Sequence, residues 1–142
     1  IEFFFYFFFF FSLFFVSVSF SESPLQIAGA TTISPQEAKR LHENGAIFID
    51  VRDRSAWDYG HISGAMHLNF VDGSLALLYV SDVVSKETPL VFYCDNSLMP
   101  TAAMASFFAM NWGYRNIYFY RDGYFSWLAS DFPIDREIAL AQ

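Results

Sequence analysis

The residue whose chemistry stands out is Cys94, the only cysteine in a chain of 142 residues. A lone cysteine closes no disulfide within its own chain and builds no multi-cysteine metal site. It can be a small buried hydrophobe, but its neighbours favour a nucleophile. The apolar run Leu90–Tyr93 predicts a buried strand that ends at Cys94, and a helix is predicted over 101–112. Amides of the intervening loop and the dipole of that helix would stabilise a thiolate, which is the nucleophilic form.

The segment that follows the cysteine is the predicted substrate-binding loop. Its members are Asp95, Asn96, Ser97, Leu98, Met99, Pro100 and Thr101. None of them is basic, and the Asp95 carboxylate places a negative charge directly beside the thiol. That charge is expected to raise the pKa of the thiol and to repel anionic ligands.

Strand and helix signals alternate from Thr31 onward, which is typical of an α/β fold with a parallel sheet and helices on its faces. Ser34 is a helix N-cap, with Pro35 at the first helical position, Glu37 completing a capping box and Gly45 as the stop signal. Further strands are predicted over 46–51, 66–69, 90–93 and 116–120, and further helices over 74–84, 101–112 and 125–129. Ligand sites in such sheets gather beyond the carboxyl ends of the strands, which is the position predicted for the cysteine.

Residues 3–20 differ from the rest of the chain. They contain no charged residue, are apolar apart from three serines, and hold most of the 19 Phe residues. This composition predicts a hydrophobic signal peptide or membrane anchor over 1–30 and a single domain over 31–142. The small residues Ala28-Gly29-Ala30 suit a signal peptidase, so export to a periplasmic or other extracytoplasmic location is the preferred interpretation. Membrane attachment through residues 3–20 and a low-complexity Phe tract are the alternatives.

Charge and residue spacing argue against several other ligands. The net charge is −7 with 8 Lys plus Arg residues, so nothing favours a nucleic-acid partner. His42, His67 and Asp72 lack metal-ligand spacing and are expected at a solvated surface. Neither a metal nor a cofactor is predicted.

Four motifs follow one another along the chain. The first is Asp50-Val51-Arg52, followed eight residues later by Gly60-His61-Ile62-Ser63-Gly64-Ala65. The others are a strand ending in Cys94, the segment 113–118 (GYRNIY), and Gly123, Trp127 and Pro133. In this order they resemble the signature of the rhodanese-like sulfurtransferases, specifically the exported single-domain type. The resemblance runs from Ile33 to Ile134, essentially all of the chain after the leader.

The resemblance implies a three-layer rhodanese-like fold in which helices flank a central parallel sheet. It also implies that Cys94 accepts a sulfane sulfur from a small donor, holds it as a persulfide and passes it to a thiol or another nucleophilic acceptor. The residues expected to have structural rather than catalytic roles are Asp50, Arg52, Gly60, His61 and Gly64.

Two departures from the family pattern leave the function open. Many active rhodaneses carry Arg or Lys in the loop after the cysteine, whereas no basic residue occurs here between Cys94 and Arg115, so thiosulfate should be repelled. Ala56 stands where the family usually has an acidic residue, which leaves Arg52 to find a different partner. The alternative function is a weak or inactive rhodanese-homology domain that acts as a binding or regulatory module. The related Cys-x5-Arg phosphatases and arsenate reductases are disfavoured because position 100 is Pro.

Overall fold

A five-stranded parallel sheet forms the centre of the computed structural model, which describes residues 22–137. Its strands are β1 (Ala30–Thr32), β2 (Ile47–Asp50), β4 (Met66–His67), β5 (Leu90–Tyr93) and β6 (Ile117–Tyr120). They lie in the order β1-β6-β5-β2-β4, and every neighbouring pair runs parallel. The predicted parallel sheet is confirmed. The predicted signal or anchor segment, residues 3–20, lies outside the described residues.

Helices cover both faces of this sheet. They are α1 (Pro35–Glu43), α2 (Arg54–Tyr59), α3 (Leu77–Val80), α4 (Thr101–Asn111) and α5 (Gly123–Ala129). Side chains of α3 and α4 pack into the core on one face, and side chains of α1 and α5 pack into the core on the other. The predicted three-layer α/β fold is therefore confirmed.

The central strand β5 is buried on both of its sides. Leu90 and Phe92 belong to the core beneath α4, whereas Val91 and Tyr93 belong to the core beneath α1 and α5. A strand covered on both faces needs apolar residues at every position, which explains its unbroken apolar run. By the same alternation the next side chain, that of Cys94, faces the α4 layer.

The start of α1 follows the predicted capping signals. The Ser34 hydroxyl accepts the Glu37 amide at 3.1 Å, and the Glu37 carboxylate accepts the Ser34 amide at 3.1 Å. This reciprocal pair satisfies two backbone donors that have no partner inside the helix. It sets the helix so that Ala38 is fully buried against the sheet.

A small antiparallel sheet, which was not predicted, closes one end of the molecule. It pairs β3 (His61–Ile62) with β7 (Ile134–Asp135). The Asp135 carboxylate also accepts the Gly64 amide at 3.0 Å and the Ser63 hydroxyl at 3.2 Å. Strands of two residues carry no readable periodicity, so the sequence pattern could not reveal them.

The helix predicted over 74–84 is confirmed only over 74–80 and ends earlier than predicted. The structure has a 3-10 turn over Ser74–Ala76 followed by the single turn of α3. Ser81 then adopts an extended backbone, and its hydroxyl accepts the Val83 amide at 3.2 Å. Such local side-chain bonds compete with helical ones, and β-branched residues at Val83 and Val84 also disfavour a helix.

The chain packs on the domain from Ser23 onward. Ser23 is buried, and its amide donates to the Ser97 carbonyl at 2.9 Å. Ala30, assigned from the sequence to the leader, is the first residue of β1. Within residues 22–137, no helix combines the length and apolar character needed to cross a membrane.

Candidate active site

Cys94 lies at the carboxyl edge of the sheet, directly after β5. The strand registers align Asp50, Tyr93 and Tyr120 as the last residues of β2, β5 and β6. Residues that follow these three strands therefore gather at one edge, as expected for a parallel sheet. Cys94 is only 4% exposed. The cysteine is thus at the predicted place in the fold, in a strongly buried environment.

Thr101, the first residue of α4, contacts the thiol directly. Its Oγ1 donates to Cys94 Sγ at 3.0 Å. Burial raises the pKa of the Cys94 thiol, while the Thr101 hydroxyl and the Asp95 amide act to lower it. The charges of Asp95 and Asp50 add to the increase. Burial has the largest effect, so the pKa of the thiol lies above its ordinary value, the direction expected from the Asp95 charge, and the neutral thiol is favoured at neutral pH.

Local hydrogen bonds shape the loop that follows the cysteine. Asn96 Oδ1 accepts the Leu98 amide at 2.9 Å, and the Asn96 carbonyl accepts the Met99 amide at 3.2 Å. The side chains of Leu98 and Met99 are exposed at the tip of the loop. The Pro100 carbonyl then accepts the Met104 amide at 3.0 Å, which begins α4.

The start of α5 holds the backbone of the cysteine from the other side of the sheet. The Tyr124 amide donates to the Cys94 carbonyl at 2.8 Å, and the Phe125 amide donates to the Asp95 carbonyl at 3.0 Å. Gly123 has φ +74°, and a Cβ there would lie 2.5 Å from the Cys94 carbonyl oxygen. Only glycine fits this close approach. Gly123 was recognised in the sequence as a member of the closing motif with Trp127 and Pro133, but this contact was missed.

Arg52 joins the loop to the end of β2. Its guanidinium forms three hydrogen bonds of 2.7 to 3.2 Å to the Asp50 carboxylate and one of 3.2 Å to the Asp95 carboxylate. It also donates to the Gly60 carbonyl at 2.7 Å and lies over the Tyr124 ring, 4.3 Å from the ring centroid. Burial alone would lower the pKa of Arg52, but the hydrogen bonds and charge of Asp50 raise it. Arg52 therefore remains charged.

The Asp95 carboxylate is not the unopposed negative charge that the loop sequence suggested. The basic partner of Asp95 is Arg52, which lies 43 residues earlier in the chain, just after strand β2. Arg52 is itself buried and shared with Asp50, so it is not available to bind an anion from solution. Two carboxylates face one guanidinium, and the cluster keeps a negative formal charge.

A buried tyrosine completes this cluster. The Tyr93 hydroxyl donates to Asp50 Oδ2 at 2.7 Å and accepts the Ile62 amide at 3.1 Å. Burial raises the pKa of Tyr93, and the charge of Asp50 raises it further. Tyr93 therefore stays protonated and links β5 to both β2 and β3.

The other motif residues support the backbone around Arg52. The His61 ring stacks on Trp57 with 3.4 Å between centroids, and Nδ1 lies 2.8 Å from the Trp57 carbonyl, a geometry in which the ring N–H donates. A Cβ on Gly60 would collide with the Tyr124 hydroxyl. Gly64 takes φ +76° in the turn after β3. None of these residues contacts the thiol, in keeping with the structural roles expected of them.

The two remaining histidines were expected, with Asp72, at a solvated surface; Asp72 is exposed, whereas both histidines are half-buried. His42 Nε2 lies 2.7 Å from the Ser63 carbonyl, and its ring packs on Trp127 with centroids 5.2 Å apart. His67 Nε2 lies 2.7 Å from the Arg52 carbonyl. Both rings tie separate segments together. In the part of the chain from 22 to 137, no group of three or more His, Cys, Asp or Glu side chains is arranged to hold a metal ion.

Proteins with curated functions resemble this chain over most of their length. The thiosulfate sulfurtransferase GlpE of Pseudomonas paraeruginosa is 30% identical over 110 residues, covering 78% of this chain and 94% of the relative. GlpE of Haemophilus influenzae is 27% identical over 103 residues, covering 72% and 92%.

Solved structures and the family model agree with this result. The solution structure of the polysulfide-sulfur transferase homodimer from Wolinella succinogenes matches with a TM-score of 0.62 and 24% identity, covering 77% of this chain and 80% of that one. That likeness concerns the fold. The family model described as the rhodanese-like domain matches residues 34–130. The chain therefore belongs to the family of rhodanese-like domains.

Proposed function

We propose that this domain is a sulfurtransferase in which Cys94 carries sulfane sulfur as a persulfide. The observation that carries the proposal is the placement of the cysteine. Cys94 follows the central strand. Its carbonyl accepts a hydrogen bond from the start of α5, and its sulfur accepts one from the start of α4. The curated GlpE relatives, named as thiosulfate sulfurtransferases, support the same class of reaction.

The reaction is a double displacement. The Cys94 thiolate attacks the terminal sulfane sulfur of the donor, an Sγ–S bond forms, and the donor leaves with the electron pair of its broken S–S bond. A nucleophilic acceptor then attacks the outer sulfur, which breaks the Sγ–S bond and restores the thiolate. Thr101 Oγ1, which already donates to Sγ, is placed to stabilise negative charge on the sulfur in both steps.

The charge around the thiol favours a donor that is less anionic than thiosulfate. The loop from Asp95 to Thr101 contains no Lys or Arg, and Arg52 is committed to two carboxylates. A doubly charged donor would therefore meet backbone dipoles and a negative cluster. An organic persulfide or a hydrogen polysulfide anion, each with a single negative charge where thiosulfate has two, is the proposed donor class.

The alternative is a binding or regulatory module with little turnover. It is favoured by the 4% exposure of Cys94 and by the burial that raises the pKa of its thiol. The two functions differ in whether sulfur leaves the protein again. Steady-state assays should therefore combine thiosulfate or polysulfide as donor with cyanide or a dithiol as acceptor.

In these assays we expect turnover that is greater with polysulfide and that Cys94→Ser abolishes. A Ser55→Ala variant, which changes an exposed side chain of α2 while keeping the thiol and its loop, serves as the control and should retain activity. Absence of product with every donor, together with stable binding of one of them, would favour the module instead.

We further propose that residues 3–20 take the chain out of the cytoplasm, either as a signal peptide or as an anchor. Support comes from their uncharged, strongly apolar sequence. A reporter enzyme that is active only after export, fused behind Gln142, should be active with the segment present. Equal reporter activity after deletion of residues 1–21 would contradict this assignment.

A further inference from the structure

Helix α4 presents an exposed face without charged residues. No Asp, Glu, Lys or Arg occurs between Asp95 and Arg115. The alanines of α4 pack into the core, which leaves Met104, Phe107 and Phe108 at 43%, 50% and 39% exposure. The outward face of a surface helix is ordinarily charged or polar. This face lacks the groups that would make contact with water favourable.

Two apolar grooves flank Phe108 on this face. One has a volume of about 300 Å³, and its walls include Pro24 and Ile27. The other has a volume of about 200 Å³, and its walls include Phe70 and Trp112. The Phe108 ring centroid lies 6.0 Å from that of Phe70 and 5.7 Å from that of Trp112. The apolar surface is therefore contiguous, a property that marks interaction sites more often than scattered exposed residues do.

The chain reaches this face directly from its apolar N-terminal segment. Residues 3–20 carry no charge, and only Ser21 and Glu22 separate them from Ser23. Ser23 is buried, and Pro24 and Ile27 line the larger groove. The first described residues after the apolar segment therefore lie against the edge of the exposed α4 face.

We propose that the α4 face rests in the interfacial layer of a lipid bilayer into which residues 3–20 insert. We define this face by the exposed side chains of Met104, Phe107 and Phe108 together with Pro24 and Ile27, which line the larger groove beside them. The proposal concerns how the domain is oriented and does not depend on whether Cys94 transfers sulfur.

Lipid explains this surface better than the apolar segment folding back onto it. The segment contains eleven Phe residues, whereas the two grooves have room for a few side chains at most. A segment that is apolar on every side needs apolar surroundings on every side, which a bilayer supplies and a one-sided groove does not. Phe side chains are also typical of the apolar faces of helices that lie in the membrane interface.

A positive charge lies at the rim of the same face. The Arg121 guanidinium donates to the carbonyls of Ser23 and Pro24 at 3.0 to 3.3 Å. Among residues 22–137 it forms no ion pair with a carboxylate. An uncompensated cation beside an apolar surface suits contact with anionic headgroups.

The packing of the residues around the predicted cleavage site favours retention of the apolar segment over its removal. Ala30 pairs with Ile117 of β6, and its amide donates to the Ile27 carbonyl at 3.0 Å. Cleavage after Ala30 would remove Pro24 and Ile27, which form one wall of the larger groove. It would also remove Ser23, whose amide donates a hydrogen bond to the Ser97 carbonyl in the active-site loop. A retained segment keeps these contacts and holds the α4 face at the membrane.

Site-directed spin labelling of the full chain tests the orientation. In a Cys94→Ser background, one variant carries Met104→Cys on the proposed face, and its matched control carries Leu128→Cys on α5, across the sheet. The two native side chains are 43% and 42% exposed. Phe107→Cys provides a second site on the proposed face. Each labelled chain is reconstituted into bilayers of phosphatidylcholine and phosphatidylglycerol, and its collision rates with oxygen and with a water-soluble nickel chelate are measured.

We expect the labels at positions 104 and 107 to lose collisions with the chelate and to gain collisions with oxygen, relative to the label at position 128. Equal chelate collisions at all three positions would overturn the proposal. Low collision rates with both reagents at 104 and 107 would show that protein covers the face, and would overturn it too. Spin–spin broadening that disappears on dilution with unlabelled chain would assign the face to a second copy, which is the third contrary result.

Discussion

At the scale of single residues, the Cys94 thiol is controlled by opposing effects. Burial raises its pKa, and the Thr101 hydroxyl and the Asp95 amide lower it. A thiolate must form before sulfur can be transferred. Since the raised pKa reduces the thiolate fraction at neutral pH, reactivity should increase as the pH rises through an alkaline range above that of an ordinary cysteine.

Removal of the Thr101 hydroxyl should shift this pH dependence further upward. Thr101→Val keeps the shape of the side chain but loses the hydrogen bond to Sγ, so the pKa of the thiol should rise further. Alkylation rates of Cys94 measured against pH report the midpoint. Thr101→Ser, which keeps the hydroxyl, is the control and should leave the midpoint close to that of the parent chain. If Val and Ser variants have the same midpoint, the hydroxyl does not stabilise the thiolate.

The choice of donor should respond to charge placed in the loop. Met99 is exposed at the loop tip, so Met99→Arg adds a cation near the thiol without disturbing the core. We expect thiosulfate turnover to increase relative to polysulfide turnover, and to increase more at low salt, because salt screens exposed charges. Leu128→Arg adds the same charge on the other face of the sheet and should have little effect. Equal responses of the two variants would mean that loop charge does not select the donor.

The sequence predicted the position of Cys94 but not its electrostatic surroundings. An apolar run, a single cysteine and a helix signal are local features, so they could be read along the chain. The Arg52–Asp95 ion pair joins residues 43 positions apart, and the contact of Gly123 with Cys94 joins residues 29 positions apart. Such contacts depend on strand order, which residue spacing does not reveal.

At the scale of elements, long and strongly patterned segments were predicted well. Strand β5 matches its predicted bounds, and α4 differs from its prediction by one residue at the end. The helix predicted over 74–84 ends at Val80 because Ser81 and the valines after it favour extended backbone. The short β3–β7 pair was missed because two residues provide no pattern.

The start of α5 should be sensitive to a single added methyl group. Gly123→Ala places a Cβ against the Cys94 carbonyl and also strains a backbone at φ +74°. Gly64 has a similar φ of +76° but open space around it, so Gly64→Ala measures the cost of the backbone strain alone. Gly64→Ala should cost about 1 kcal/mol of unfolding free energy, and Gly123→Ala should cost roughly 1 to 3 kcal/mol more from overpacking.

Urea unfolding of the two glycine variants, read together with their sulfurtransferase activity, tests this comparison. Gly123→Ala should also lose turnover, because it displaces the loop that carries the thiol. Equal losses of stability for the two variants would mean that the close approach at Gly123 is unimportant.

At the scale of the whole molecule, the Arg52 cluster connects separate parts of the fold. It joins β2 through Asp50, the active-site loop through Asp95, and the residue before β3 through the Gly60 carbonyl. Buried charges of this kind are costly to leave without partners. A change at the sheet edge that breaks the cluster should therefore displace the active-site loop.

Neutralising Asp50 should destabilise the whole domain. Asp50→Asn keeps the side-chain shape but leaves Arg52 with only the partly exposed Asp95 as a charge partner, so unfolding should cost about 3 kcal/mol less. The control is Asp58→Asn, which breaks the exposed Arg54–Asp58 pair and should change stability far less. Similar unfolding midpoints for the two variants would contradict a supporting role for the buried cluster.

The central claim is that Cys94 carries sulfur, and the intact mass of the full chain tests it most directly. The protein is incubated with polysulfide, and separately with thiosulfate, at an alkaline pH where the buried thiol ionises, and its mass is measured before and after addition of a thiol acceptor. We predict a gain of one sulfur atom that the acceptor removes and that Cys94→Ser never shows. An unchanged mass with both donors, or the same gain in Cys94→Ser, would contradict the account.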